Sequence, residues 1–143
     1  MKKKNSSLRE TALVATGLLL VACAIGFAAP SKAGEHKGVT EVMTQDLPEY
    51  PGKEATMLVV EYPPGGEDPL HRHDAHAFLY VLEGTIVMGL QGGKEVTLHA
   101  GETFHEGPND IHTVGRNASK TEPAKFVVVL LKDKGKPVLT PLE

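Results

Sequence analysis

The chain has 143 residues, with 15 basic and 18 acidic side chains, no tryptophan and one cysteine. Its formal net charge of −3 and the absence of a basic stripe argue against nucleic acid as a partner. Because Cys23 is the only cysteine, the chain can form no internal disulfide, and a domain that begins after it has no thiolate for catalysis or metal binding.

The first 33 residues have the pattern of an export signal. Met1–Lys4 is basic, Ala12–Ala29 is largely apolar, and Ser31-Lys32-Ala33 provides the small residues that a signal peptidase requires. We therefore expect residues 1–33 to be a signal peptide and the mature protein to be periplasmic or secreted. Cleavage would move the formal net charge from −3 to −7, because this segment contains five basic residues and one acidic residue.

Two other outcomes for this segment stay open. Leu20-Val21-Ala22-Cys23 is similar to a bacterial lipobox, in which case the signal ends before Cys23 and a lipid on that cysteine anchors the protein. The apolar run Ala12–Ala29 is also about as long as the shortest transmembrane anchors. In all three cases the domain is exported, and it meets the membrane only through its signal or lipid.

The remaining chain divides into an arm and a β-rich domain. Residues 34–55 are polar and rich in turn residues, and we expect a linker and lead-in arm there, with a short edge strand at Val39–Met43. Residues 56–143 contain short β-type runs separated by Gly and Pro turns, which is typical of an all-β sandwich or barrel. The continuous apolar run Val127–Leu131 predicts a strand of the buried core. The predicted strands are Thr56–Tyr62, Ala77–Leu82, Thr85–Leu90, Glu95–Leu98, Thr103–Glu106, Ile111–Val114 and Phe126–Leu131.

The histidines are concentrated in this domain. Six of the seven lie between His71 and His112. A His-x-His pair on one strand, here His71 and His73, points both imidazoles to the same face because side chains alternate. Since neutral imidazole is the commonest metal-binding side chain, these two and His112 on a later strand can converge on one metal ion inside a small barrel.

Two segments around these histidines resemble the conserved motifs of the cupin superfamily. Gly66–Gly84, with His-Arg-His and Tyr-Val-Leu-Glu-Gly, is similar to the first motif, and Gly101–Asn117, with Pro-Asn-Asp-Ile-His, is similar to the second. The resemblance implies an antiparallel jelly-roll β-barrel, commonly a homodimer. It also implies one divalent transition metal (Fe, Zn, Ni, Cu or Mn), with His71, His73 and His112 as its ligands.

One position departs from the family pattern. The first motif usually carries a glutamate ligand four residues after its second histidine, where this chain has Ala77. The site is therefore expected to contain three histidines and to be one charge more positive than usual. His76 and Glu106 are the candidates to replace the glutamate, but we expect each at the rim or surface. Alternation places His105 on the face opposite Glu106.

Other side chains near the motifs receive structural interpretations. Arg72 should point outward or pair with Asp74, Tyr80 should pack in the core, and Arg116 should be an ordinary surface charge.

Two classes of function fit these features. The first is a metal-dependent enzyme, such as an oxygenase or isomerase, in which the ion activates O₂ or water or polarises a small polar substrate. The second is a non-catalytic periplasmic module that binds a metal or small ligand. The fold does not decide between them, because it hosts many chemistries, and no catalytic residue can be assigned.

Overall fold

The computed structural model describes residues 38–143, and in this range the chain forms strands and turns without a helix. No segment of this range therefore has the length and hydrophobicity of a membrane-spanning helix. The ten strands are β1 (Val39–Asp46), β2 (Lys53–Tyr62), β3 (His71–Arg72), β4 (Ala75–Glu83), β5 (Thr85–Leu90), β6 (Val96–His99), β7 (Thr103–Glu106), β8 (Ile111–Asn117), β9 (Ala124–Asp133) and β10 (Thr140–Pro141).

The strands form two five-stranded antiparallel sheets, as the sequence predicts. One sheet has the order β1-β2-β9-β4-β7 and the other the order β10-β3-β8-β5-β6. Each predicted strand overlaps an observed one, and β1 continues three residues past Met43 while pairing with β2 of its own chain. The strand predicted to carry both His71 and His73 is β3, which ends at Arg72, so His73 lies just after it. The two-residue strand β10 is not predicted, since it is too short to show alternation.

The core lies between the two sheets and is built by alternation along the strands. In β4 the odd-numbered residues from Ala75 to Val81 are buried, whereas the even-numbered residues from His76 to Tyr80 are exposed. The expectation that Tyr80 packs in the core is therefore wrong. Its side chain is 48% exposed because it occupies an outward position.

The apolar strand β9 is buried on one face only. Val128 and Leu130 belong to the core, whereas Leu131 is 41% exposed. The prediction that this run belongs to the buried core is therefore confirmed for Val128 and Leu130 and wrong for Leu131. Within residues 38–143, no layer of structure covers the outer face of this sheet at Leu131.

Asn117 anchors the end of β8 through its amide group. The buried side chain donates hydrogen bonds to the Pro63 carbonyl oxygen (3.0 Å) and the Glu122 carbonyl oxygen (2.8 Å), and it accepts one from Ser119 N (2.9 Å). These bonds join β8 to the end of β2 and to the following turn. The strand that carries His112 is thereby held in place.

A buried ion pair joins β2 and β9. The Lys132 ammonium group pairs with the Glu54 carboxylate directly across the two strands. Lys132 Nζ also donates to the Lys136 carbonyl oxygen (2.6 Å), and Glu54 accepts from Gly135 N (3.2 Å). Both charges are therefore paired and hydrogen-bonded inside the protein.

Lys132→Met should lower the free energy of unfolding by about 3–5 kcal/mol, because it leaves the Glu54 carboxylate buried without its counter-ion. Lys53→Met is the matched control, since it removes a lysine from an exposed pair with Asp133 and should cost less than about 1 kcal/mol. Urea denaturation measures both values. Equal losses in the two variants would contradict this account.

Candidate metal centre

The pairing of β3 with β8 brings the three predicted histidines together. His71 lies directly opposite His112 in the register, and His73 follows at the end of β3. His71 Nε2 is 3.2 Å from His73 Nε2 and 3.3 Å from His112 Nδ1. The three candidate ligand atoms lie within 4.8 Å of one another. The three side chains therefore converge, while their binding of a metal ion remains a prediction.

Backbone carbonyl groups fix the orientation of two of these rings. His71 Nδ1 lies 2.8 Å from the Pro69 carbonyl oxygen, and His73 Nδ1 lies 2.5 Å from the Val138 carbonyl oxygen. Because a carbonyl oxygen only accepts, each Nδ1 carries the proton and each Nε2 directs its lone pair at the cluster. This arrangement is typical of histidines that bind metals.

Glu106 lies where the motif glutamate is missing. β4 and β7 pair with Ala77 directly opposite Glu106, so both residues face the interior from neighbouring strands. Glu106 Oε2 is 3.8 Å from His73 Nε2 and 3.9 Å from His112 Nδ1, and the residue is only 4% exposed. The expectation of a rim carboxylate is therefore wrong. The short Ala77 side chain leaves room for a carboxylate from the facing strand.

His76 lies on the outer face of the sheet and does not approach the cluster. Its exposed ring stacks on that of His105, with 5.4 Å between the ring centroids. The expectation that His76 is at the surface is confirmed. So is the expectation that His105 faces away from Glu106.

The nearby arginines are engaged outside the barrel. Arg72 pairs with Asp74 (3.2 Å), and Arg116 pairs with Glu95 (3.2 Å). Each arginine side chain is more than 40% exposed. Both expectations for these residues are confirmed.

Burial sets the protonation states at the cluster. It lowers the pKa of His73 and of His112 to about 4, so both imidazoles are neutral near pH 7, as metal ligands must be. Burial also raises the pKa of Glu106 to about 7, and the neighbouring Asp110 and Asp68 carboxylates add to this effect. Among the described residues, no group donates a hydrogen bond to Glu106 Oε2.

The cluster is compatible with one small metal ion. Two nitrogen ligands about 2.1 Å from one ion, at angles of about 90° to 109°, are about 3.0 to 3.4 Å apart. Two of the three nitrogen separations, 3.2 and 3.3 Å, agree with this value, and the third is within 4.8 Å. A bound metal ion would also place a positive charge beside the Glu106 carboxylate. Imidazole and carboxylate ligands suit several divalent metals, so the ligand set does not identify the ion.

A cavity of about 260 Å³ opens onto the cluster. Tyr62 and Asp68 line it beside the histidines, and the Tyr62 hydroxyl donates a hydrogen bond to Asp68 Oδ2. A methyl group at Gly115 would lie 2.9 Å from His112 Cε1 and 3.1 Å from both Asp68 Oδ2 and the Tyr62 hydroxyl. A larger residue at this position would therefore force at least one of these three side chains to shift.

The sequence analysis did not single out Tyr62 or Asp68. Alternation along β2 places Tyr62 on the same inward face as Leu58 and Val60, so this signal was present. Asp68 lies in the loop before His71 and carries no periodic signal. Burial, followed by the Asp68 carboxylate, raises the pKa of Tyr62 above its ordinary value, so its hydroxyl stays protonated as a donor.

Comparison with known families agrees with this architecture. A family model described as a cupin domain matches residues 58–130, about half of the chain. The chain belongs to the cupin family. No curated protein matches this cupin.

Solved structures share the cupin fold at low sequence identity. An oxalate oxidase in complex with glycolate is 26% identical, with a TM-score of 0.55, over 76% of this chain and 57% of the oxidase. The polyketide cyclase RemF from Streptomyces resistomycificus is 22% identical, with a TM-score of 0.55, over 75% and 72% of the two chains.

A third similar structure is the DMSP lyase DddQ from Ruegeria pomeroyi. It is 20% identical, with a TM-score of 0.53, over 61% of this chain and 42% of the lyase. The cupin described here thus spans less than half of the lyase's length. These similarities show the fold and leave the reaction open.

Glu106→Gln should stabilise the metal-free protein at pH 8 by about 1–3 kcal/mol, because it removes a buried charge that has no donor. The folded pKa of about 7 lies above the ordinary value of 4.5, so this penalty is absent below pH 4.5 and complete above pH 7. Chemical denaturation in the presence of a chelator measures the effect. The exposed Glu83→Gln is the control, and equal stability of Glu106→Gln and wild type at pH 8 would contradict the burial argument.

Proposed function

We propose that this cupin is a metal-dependent enzyme with a single metal centre, in which Glu106 provides the carboxylate that the first motif lacks. The observation that carries the proposal is the position of Glu106 opposite Ala77, with Oε2 less than 4 Å from two of the histidines. His71, His73 and His112 would be the other ligands. With the Glu106 carboxylate as a ligand, the metal centre has the same net charge as in a cupin whose first motif keeps its glutamate.

The metal ion, when bound, supplies Lewis acidity or activates O₂ or water. The protein's own residues orient the ligands and shape the space beside them. The Pro69 and Val138 carbonyl groups hold the imidazoles of His71 and His73. Tyr62 and Asp68, which are joined by a hydrogen bond, line the cavity beside these ligands.

Export and assembly are further parts of the proposal. The signal pattern of residues 1–33 supports a periplasmic or secreted protein, and the lipobox at Cys23 supports a lipoprotein as the alternative. Both features lie outside the described residues 38–143. Membership of the cupin family supports a homodimer.

Glu106→Ala should weaken Co(II) binding at least about tenfold. Removing a residue that only orients a metal ligand already costs about tenfold or more, and removing a ligand should cost more than that. The double variant Ala77→Glu with Glu106→Ala should recover most of the affinity, because the carboxylate returns from the facing strand. Competition with a chromogenic chelator measures the affinities, with Glu83→Ala as control. A double variant that binds no better than Glu106→Ala would contradict the proposed exchange of positions.

Catalysis is tested by reconstituting the protein with Fe(II), Mn(II), Zn(II), Ni(II) or Cu(II) and measuring turnover on a panel of small molecules. We expect turnover with one of these metals, and we expect a chelator or His73→Ala to remove it. Stoichiometric metal binding without turnover would reject the enzyme and favour a non-catalytic binding module. Full turnover by the metal-free protein would reject any role of the metal.

A further inference from the structure

We propose that the cavity selects small uncharged molecules with an apolar body and an oxygen donor, and that it discriminates against carboxylate anions. This inference rests on the proposed function, because the oxygen donor would meet the bound metal ion. It narrows the small polar substrate expected from the sequence to a neutral one.

The cavity walls facing the cluster are hydrocarbon. Leu58 and Val60 on β2, Phe126 and Val128 on β9, and Met88 on β5 all line the cavity and belong to the buried core. A ligand that reaches the metal site therefore places the rest of its surface against aliphatic and aromatic side chains. Hydrocarbon on the ligand is favoured there, because it leaves water for an apolar wall. A polar group on that part of the ligand would lose its hydration without gaining a partner.

The ionisable groups of the wall are unfavourable to an anion. Apart from the histidines and Tyr62, the ionisable side chains lining the cavity are those of Glu67, Asp68 and Glu106, and no lysine or arginine of residues 38–143 lines it. The carboxylate of a bound ligand would therefore lie close to like charges.

Asp68 is held at the cavity and cannot readily turn away from an anion. Its backbone N–H donates to the Gly115 carbonyl oxygen (2.8 Å), and its Oδ2 accepts the Tyr62 hydroxyl. The close packing at Gly115 places this carboxylate beside the His112 ring. The two nearest arginines, Arg72 and Arg116, are engaged in ion pairs outside the barrel.

This cavity and that of a similar structure are expected to differ in the ligands they accept. The oxalate oxidase that is 26% identical was solved in complex with glycolate, a small carboxylate. We expect glycolate and oxalate to be poor ligands of the cavity described here, although the fold is shared.

Two isosteric probes test the selection on the Co(II)-loaded protein. One is 2-hydroxyisobutyrate, an anion, and the other is 3-hydroxy-3-methylbutan-2-one, a neutral ketone in which a methyl group replaces one carboxylate oxygen. Their dissociation constants are measured from the visible absorption of Co(II) in wild type, Asp68→Asn and Glu67→Gln. The control is Asp133→Asn, which removes an exposed charge that does not line the cavity. Metal content is determined first, and near-ultraviolet circular dichroism checks that each variant is folded.

We expect the ketone to bind more tightly than the carboxylate, the reverse of the order for Co(II) free in water. Asp68→Asn should improve carboxylate binding about tenfold and change ketone binding less than about twofold, because it removes only a nearby charge. Glu67→Gln should have a smaller effect of the same sign, and Asp133→Asn should have none. Tighter binding of the carboxylate by wild type, or an unchanged ratio in Asp68→Asn, would overturn the selection while leaving metal binding intact. Failure to retain Co(II) would instead overturn the proposed function, and the selection with it.

Discussion

The register between β4 and β7 is the constraint on which the site depends. It places Ala77 opposite Glu106 and Phe78 opposite His105. Because side chains alternate, a slip of one residue would turn the Glu106 carboxylate to the outer face and bring the His105 imidazole inside. The apolar alternation of β4, with Ala77 and Leu79 in the core, stabilises the observed register. Core packing thereby positions a buried carboxylate beside two of the three imidazoles.

The chemistry of the interior follows from this pairing. His71 and His73 are held by backbone carbonyl groups, and Glu106 Oε2 lies near His73 and His112 without a hydrogen-bond donor among the described residues. A charge placed in this way is unfavourable in the empty protein and favourable beside a cation. The same carboxylate, together with Asp68, makes the interior acidic. The proposed preference for neutral ligands is thus a consequence of how the missing glutamate is replaced.

Sequence patterns were sufficient for the fold and for the three histidines, because alternation and motif spacing are local signals. They also placed His76 at the surface and His105 on the face opposite Glu106. Glu106 was a candidate to replace the glutamate, but its burial was not predicted, since it depends on which residue of β4 lies across from it, a long-range pairing. Tyr80 was assigned to the core although its even-numbered position in β4 points outward. The alternation argument that succeeded for His76 would have corrected it.

The charge of the site depends on the same long-range pairing. Ala77 alone predicts a centre with one extra positive charge. The buried Glu106 carboxylate, in its proposed role as a ligand, removes that extra charge. The apolar cavity wall could not be predicted from local sequence patterns either, because Leu58, Met88 and Phe126 come from three strands in two sheets. In the sequence each of them reads as an ordinary core residue, and its place on the cavity wall depends on residues of the other strands.

The most direct test of the central claim is X-ray absorption spectroscopy of the metal-loaded protein, combined with a crystal structure recorded at the metal's absorption edge. The account predicts one ion bound by three imidazole nitrogens and a Glu106 carboxylate oxygen, with Ala77 on the facing strand. An ion bound by the three histidines with Glu106 turned away would contradict it. So would an ion bound elsewhere in the protein.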